Sequence, residues 1–186
     1  MNVTILAANG QIARLVEERL LTDPIFKDVQ LTLMLRHPER LSELNDNPRV
    51  NLLDGDLTNP TDVIQATKDA DLIWLAVVNH NQSNRPTKNI IAATKQNGVE
   101  RVVETSLLGL YNEVPGEFGD WNRDYCFNGD PTGTTAVLAD QLLAEAGLTY
   151  TTLRLPWLND RPEVNHTLTH RHDQFVEVDR KSTRLN

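Results

Sequence analysis

Short apolar runs alternate with segments of helical period along most of this chain, and few folds accept that pattern. Val3–Ala7, Leu31–Leu35, Val50–Leu53, Leu72–Val78, Arg101–Thr105 and Thr149–Leu153 read as strands. Between them, Gln11–Leu21, His37–Leu44, Thr61–Thr67, Thr87–Gln96 and Thr134–Ala146 read as helices. In the first helix Ile12, Leu15, Val16 and Leu20 share one face. Asn97-Gly98 and Gly147 supply the flexible residues that end two others. Strands joined through helices make right-handed crossovers, so the sheet is mostly parallel and covered on both faces. Leu72–Val78 is apolar almost throughout, which suits a central strand.

Composition narrows the function classes. With 186 residues the chain is expected to form a single domain, 1–186. Hydrophobic residues make up 39% and charged residues 24%, a globular balance. A net charge of −8 argues against nucleic acid, because phosphate tracking needs a basic face. Cys126 is the one cysteine, which excludes an intrachain disulfide and a cysteine zinc cluster. No apolar run approaches the ~20 residues that span a bilayer. The first strand begins almost at Met1, leaving no leader, so the expected location is cytoplasmic. The partners left open are a small-molecule substrate and a second copy of the chain.

The turn after the first strand is "AANGQIA", Ala7–Ala13. In a dinucleotide fold the pyrophosphate rests on the N-terminus of the first crossover helix, behind a glycine-rich turn. Gly10 occupies the position that lets backbone approach phosphate. Ala13 is small enough to let helix and strand pack closely. Ala7 stands where glycine usually makes the sharp turn, so the expectation is a turn that is less sharp there. The context, strand before and helix after, favours a cofactor turn over an ordinary connection. The fold class expected is therefore α/β, a Rossmann-type doubly wound sheet of at least six strands ordered 3-2-1-4-5-6, with helices on both faces. The end of the second strand carries Arg36 where an acid would hold the ribose of NAD. An arginine there can pair with a 2′-phosphate, which points to NADP while leaving NAD open.

Gly109–Pro131 stands apart. It is rich in glycine and scattered with Tyr111, Phe118, Trp121, Tyr125 and Phe127, and reads as a long lid or binding loop. Asp120, Asp124 and Asp130 read as solubilising it. Trp121 and Trp157 suit either a substrate cleft or internal packing, and Arg14 either a phosphate or the surface. His166, His170 and His172 cannot converge without a bend, so no metal site is expected. Ser106 lacks the partners of a hydrolase triad.

Taken together these segments resemble the atypical short-chain dehydrogenase/reductase family, in its NmrA-like, NAD(P)H-binding branch. The similarity lies in "ILAANGQIAR", "LMLRHPERL", "LLDGDLTNPTDVIQA", "ADLIWLAVV", "RVVETSLLGLY" and "LTYTTLRLPWL". It implies backbone contacts to pyrophosphate from Ala8, Asn9, Gly10, Gln11 and Ile12. Arg36, with Arg40 close by, is implied at the 2′-phosphate. Asp56 and Leu57 are implied beside the adenine, and Ala76 and Val77 along the ribose. Thr105 and Ser106 are implied near the nicotinamide, Ser106 in the family's catalytic serine position. The wider family pairs this serine with a Tyr-x-x-x-Lys motif. No tyrosine here has lysine at that spacing, and Thr134–Ala146 holds neither residue. Tyr111 is the nearest substitute acid. Two functions follow from the resemblance. One is an NADPH-dependent oxidoreductase acting on a small carbonyl, quinone or flavin-like acceptor. The other is a non-catalytic NADP(H) sensor. The resembling proteins continue past the segment matching Glu177–Ser182, so a shortened C-terminus is expected.

Overall fold

A computed structural model of the chain describes residues 1–158, 168–170 and 173. The tail and two of the three histidines weighed above, His166 and His172, lie outside the described residues. The described residues group into two compact units.

The first unit, residues 1–106 and 135–153, carries the sheet. Its strands are β1 (Asn2–Leu6), β2 (Gln30–Leu35), β3 (Val50–Asp54), β4 (Leu72–Leu75), β5 (Arg101–Leu107) and β6 (Tyr150–Leu155). The order is β3-β2-β1-β4-β5-β6, the one expected of a Rossmann-type sheet. The four pairs from β3 across to β5 are parallel. The Val102 and Leu108 N–H groups donate to Thr149 and Leu155 at the same offset, which is the parallel register too. Helices α1 (Gln11–Thr22), α2 (Pro60–Ala66), α3 (Arg85–Asn97) and α5 (Thr135–Glu145) connect the strands, with α4 (Gly116–Phe127) between β5 and α5.

Each sheet face buries its own apolar layer. One joins Leu6, Met34, Ile73, Leu75 and Val102 to Val63 of α2, Ile90 of α3 and Leu143 of α5. The other joins Val3, Ile5, Leu31, Leu33 and Trp74 to Ala13 of α1 and to Leu41. A fully buried residue of this size contributes about 1.5–3 kcal/mol, so the two layers dominate any local strain.

Boundaries differ from the sequence reading where backbone leaves the ladder. β4 stops at Leu75; the Ala76 N–H still donates to Leu6 O at 3.0 Å, but Val77 turns outward and is 39% exposed. β5 runs on to Leu107, which places Ser106 inside a strand. Pro38–Leu44 is a 3-10 segment kinked at Leu41, not an α-helix. Asn97 is followed by Gly98 at φ 67, the expected cap.

The second unit, residues 107–134 with the described residues from 154, corrects the expectation of a long loop. Gly116–Phe127 forms the helix α4. Phe118, Trp121 and Tyr125 lie on one side of it and stack at centroid distances of 5.7 and 5.3 Å. Trp157 packs on Trp121 at 5.3 Å, and its indole N–H donates to Asn122 Oδ1 at 3.0 Å. Trp121 and Trp157 thus pack on one another. Asp120 pairs with Arg123 at 2.6 Å on the same helix. Gly119 is obligatory: a Cβ there would sit 1.9 Å from Val114 O.

Candidate functional site

The carboxyl ends of β1, β2, β3 and β4 converge on one cleft of about 330 Å³. Its lining includes Ala7 after β1, Leu35 and Arg36 at the end of β2, and Gly55–Thr58 after β3. Val77–Asn81 after β4 complete it. The chain goes outward from β1 through β2 to β3 and returns to β4 on the other side, so the cleft lies at the topological switch point. That is where open α/β sheets bind ligands.

The turn at the floor of the cleft is sharper than the sequence suggests. Ala7 adopts φ 63, the left-handed region that favours glycine. The expectation of a relaxed turn is corrected: the turn keeps its shape, and Ala7 carries roughly 1–2 kcal/mol of strain. Gly10 N–H closes the turn onto Ala7 O at 3.3 Å. Gly10 itself is extended, at φ −71 and ψ 154, and is the N-cap of α1, with no side chain capping the helix. A Cβ at Gly10 would meet only Ala7 O at 3.7 Å and Ala76 O at 3.8 Å. The fold therefore does not require glycine there, and the space over the helix end is left for a ligand. Helix N-terminal amides favour an anion in that space. Ala8 is turned inward: it is fully buried, and its N–H is used by Met34 O at 3.1 Å. Ala13 is fully buried against the strand layer, the close packing expected of it.

Arg36 is exposed on the cleft rim and has no ion-pair partner among the described residues. Its charge reaches Asp56, whose carboxyl is held below the usual range mainly by two hydrogen bonds from Thr58. The Thr58 N–H and hydroxyl both donate to Asp56 Oδ1 at 2.7 Å. Asp56 and Leu57 line the cleft with Arg36, as does Val77. Arg40 is exposed on the 3-10 segment. Arg14 pairs with Glu43, so its side chain is engaged on the surface.

Two predicted residues are buried within β5. Thr105 accepts the Trp74 indole N–H at 3.0 Å and is 2% exposed. Ser106 is also 2% exposed within β5. Tyr111 belongs to the second unit. The Arg154 guanidinium carbon lies 5.3 Å from its ring centroid, and Arg154 lies 2.8 Å from Glu113. Glu113 also accepts the Gly109 and Tyr111 N–H groups at 3.0 and 2.9 Å.

Sequence reasoning missed Asn79, His80 and Asn81 in the lining. The signal was present: "NHNQSN" is a polar run directly after the most apolar strand. It also missed two buried acids. Glu17 on α1 is 2% exposed with both carboxylate oxygens unpartnered. Burial pushes its pKa up to about 7, against a lowering by Arg14. On β5, Glu104 is likewise 2% exposed and pushed up to about 8, by burial first and by Asp140 second. Among the described residues no cluster is arranged to hold a metal ion, and no helix is long and apolar enough to cross a membrane.

A doubly wound parallel sheet, with a phosphate-type turn and a cleft at its switch point, defines a dinucleotide-binding class of protein. Residues 7–184 match the family model described as NAD(P)H-binding, and the chain belongs to that family. Among solved structures it is similar to a short-chain dehydrogenase/reductase of the wide type from Veillonella parvula DSM 2008, in complex with NADP. That likeness has 31% identity and a TM-score of 0.80, over 94% of this chain and 78% of the other. A Rossmann-fold NAD(P)-binding family protein from Shigella flexneri aligns at 27% identity with a TM-score of 0.68, over 94% and 76%. An NADPH-dependent quinone oxidoreductase from Escherichia coli, complexed with NADPH, shares the fold at 24% identity and a TM-score of 0.62, over 83% and 49%. Comparison with curated proteins finds no match.

Proposed function

We propose that the protein binds NADP(H) in preference to NAD(H) and works as an oxidoreductase on a small carbonyl, quinone or flavin-like acceptor. The observation that carries the cofactor preference is Arg36: a cation on the rim of the switch-point cleft with no ion-pair partner among the described residues. A guanidinium in that state fits a 2′-phosphate, which it can grip through two parallel hydrogen bonds. Gly10 leaves room over the end of α1 for the pyrophosphate, and Asp56 and Leu57 form the wall on the adenine side. The likeness to an NADP-bound reductase at 31% identity supports the same reading.

Bound cofactor would supply the hydride, so the chain's own task is to bind, orient and exclude water. An acceptor whose reduced form is stable as an anion, such as a quinone, needs little acid help and takes its proton from solvent. That suits a chain without the Tyr-x-x-x-Lys pair.

A second reading is favoured by one observation: α5, "TAVLADQLLAE", has neither tyrosine nor lysine. On that reading the protein is an NADP(H) sensor without turnover. A screen of NADPH oxidation against quinones and aldehydes separates the two. Turnover with any acceptor establishes the enzyme, and saturable binding without turnover establishes the sensor.

A further inference from the structure

The chain contains three Asn-Gly steps: Asn9-Gly10, Asn97-Gly98 and Asn128-Gly129. Glycine has no Cβ to hinder attack by its own nitrogen on the preceding side chain, so an asparagine amide is lost most readily at such a step. The fold sets the three in opposite fields. Asn97 and Asn128 stand at the C-terminal ends of α3 and α4, whereas Asn9 stands just before the N-terminus of α1.

Deamidation begins when the glycine N–H gives its proton to hydroxide. The nitrogen then attacks Cγ of the asparagine, and the charge passes to the side-chain oxygen. Both anions are favoured at the positive end of a helix and opposed at the negative end. Hydrogen bonding acts in the same direction. The Gly10 N–H is held only by Ala7 O, at 3.3 Å, and the exposed Asn9 side chain has no partner among the described residues. Asn97 instead donates its amide to Ile64 O and Thr67 Oγ1, both at 2.9 Å, and the Gly98 N–H donates to Thr94 O. The Asn128 and Gly129 N–H groups donate to Asp124 O and Arg123 O, each at 3.1 Å, which pins that backbone in the cap of α4.

We propose that Asn9 is a deamidation site whose modification closes the cleft to dinucleotide. The bond from Gly10 N to Asn9 Cγ forms, the Cγ–Nδ2 bond breaks, and ammonia leaves with a proton from water. A second water opens the cyclic imide to aspartate or isoaspartate. Either product sets a carboxylate beside the end of α1, where pyrophosphate would rest, and isoaspartate also lengthens the turn that Ala7 and Gly10 close. That consequence rests on the cofactor reading above; the chemistry at Asn9 does not. Phosphate seated on α1 neutralises the field that drives the reaction, so bound cofactor protects the residue.

The test is to age the wild-type protein without cofactor at mildly alkaline pH and map its peptides by mass. Amide-to-acid exchange at Asn9 should run about fivefold faster than at Asn97 or Asn128. NADPH at about ten times its dissociation constant should slow it about tenfold. The modified fraction, separated by ion exchange, should bind NADPH about tenfold more weakly or worse, as should Asn9→Asp. Asn9→Gln must close a larger ring and should keep the affinity of its own fresh sample through the same ageing. Exchange at Asn97 or Asn128 ahead of Asn9 would overturn the proposal. So would undiminished NADPH binding by the modified fraction. Both readouts need only the wild type, and both leave the cofactor reading intact. Fresh wild type that binds no NADPH would overturn the cofactor reading, and the closing of the cleft with it.

Discussion

The turn after β1 and the helix α5 both depart from the family pattern, and they depart in different ways. At the turn, alanine replaces glycine but the backbone is retained: Ala7 is driven to φ 63. The strain of roughly 1–2 kcal/mol is small beside the apolar layers that hold β1 between β2 and β4. At α5, the tyrosine and lysine are gone, and the helix buries Asp140 at 1% exposure against Glu104. A backbone shape can be enforced by neighbours, whereas a phenol's proton cannot. The turn therefore speaks for cofactor binding even though its sequence is altered. The helix supplies neither residue of the proton-transfer pair.

The largest effect expected comes from the buried acids. Unfolded, Glu17 and Glu104 ionise near 4.5; folded, they keep protons up to about 7 and about 8. Folding takes up protons in that window, so their contribution is full below pH 4.5 and is lost as pH rises to about 8. The shifts lower stability by on the order of 3 kcal/mol for Glu17 and of 5 kcal/mol for Glu104 across their windows. Chemical denaturation from pH 5 to pH 9 should show this fall, and Glu17→Gln and Glu104→Gln should each flatten it. A flat wild-type profile would show that neither Glu17 nor Glu104 keeps its proton on folding.

The turn is tested next. Gly10→Ser supplies a good helix cap into open space, so the melting temperature should hold or rise. NADPH binding should weaken about 100-fold, or ~2.7 kcal/mol, because the hydroxyl competes for the amides that phosphate would take. Retained binding would mean that α1 does not carry the phosphate. Arg36→Glu should weaken NADPH by about 10- to 100-fold, the strength of a charge-assisted contact, and NADH by less than about threefold. Smallest of all, Ala7→Gly should stabilise the protein by about 1 kcal/mol, the strain released less glycine's greater unfolded freedom. A destabilised Ala7→Gly would show that the turn carries no such strain.

The fold was legible because strands such as Leu31–Leu35 and Leu72–Leu75 are apolar runs alternating with helices, and the cofactor turn after β1 then points to the Rossmann-type order. The turn was legible in position but not in conformation: nothing in "AANGQIA" tells that Ala7 is forced to positive φ. The helix α4 was missed because Gly116 and Gly119 read as loop. Phe118, Trp121 and Tyr125 already stood at helical spacing, and Gly119 is there for Val114 O, 1.9 Å from where a Cβ would be. Arg36 was legible from its place at the end of the second strand, and Asp56, Leu57 and Val77 from the family resemblance; all four line the cleft. The buried acids Glu17 and Glu104 could not be found, since what surrounds them exists only after folding.

The central claim is that the cleft binds NADP(H) with Arg36 on its rim. Fluorescence titration of the wild-type protein with NADPH and with NADH tests it most directly. Saturable binding of NADPH, tighter than NADH by about tenfold or more, is the result predicted. Equal affinity for the two would contradict the role of Arg36, and no binding of either would contradict the claim itself.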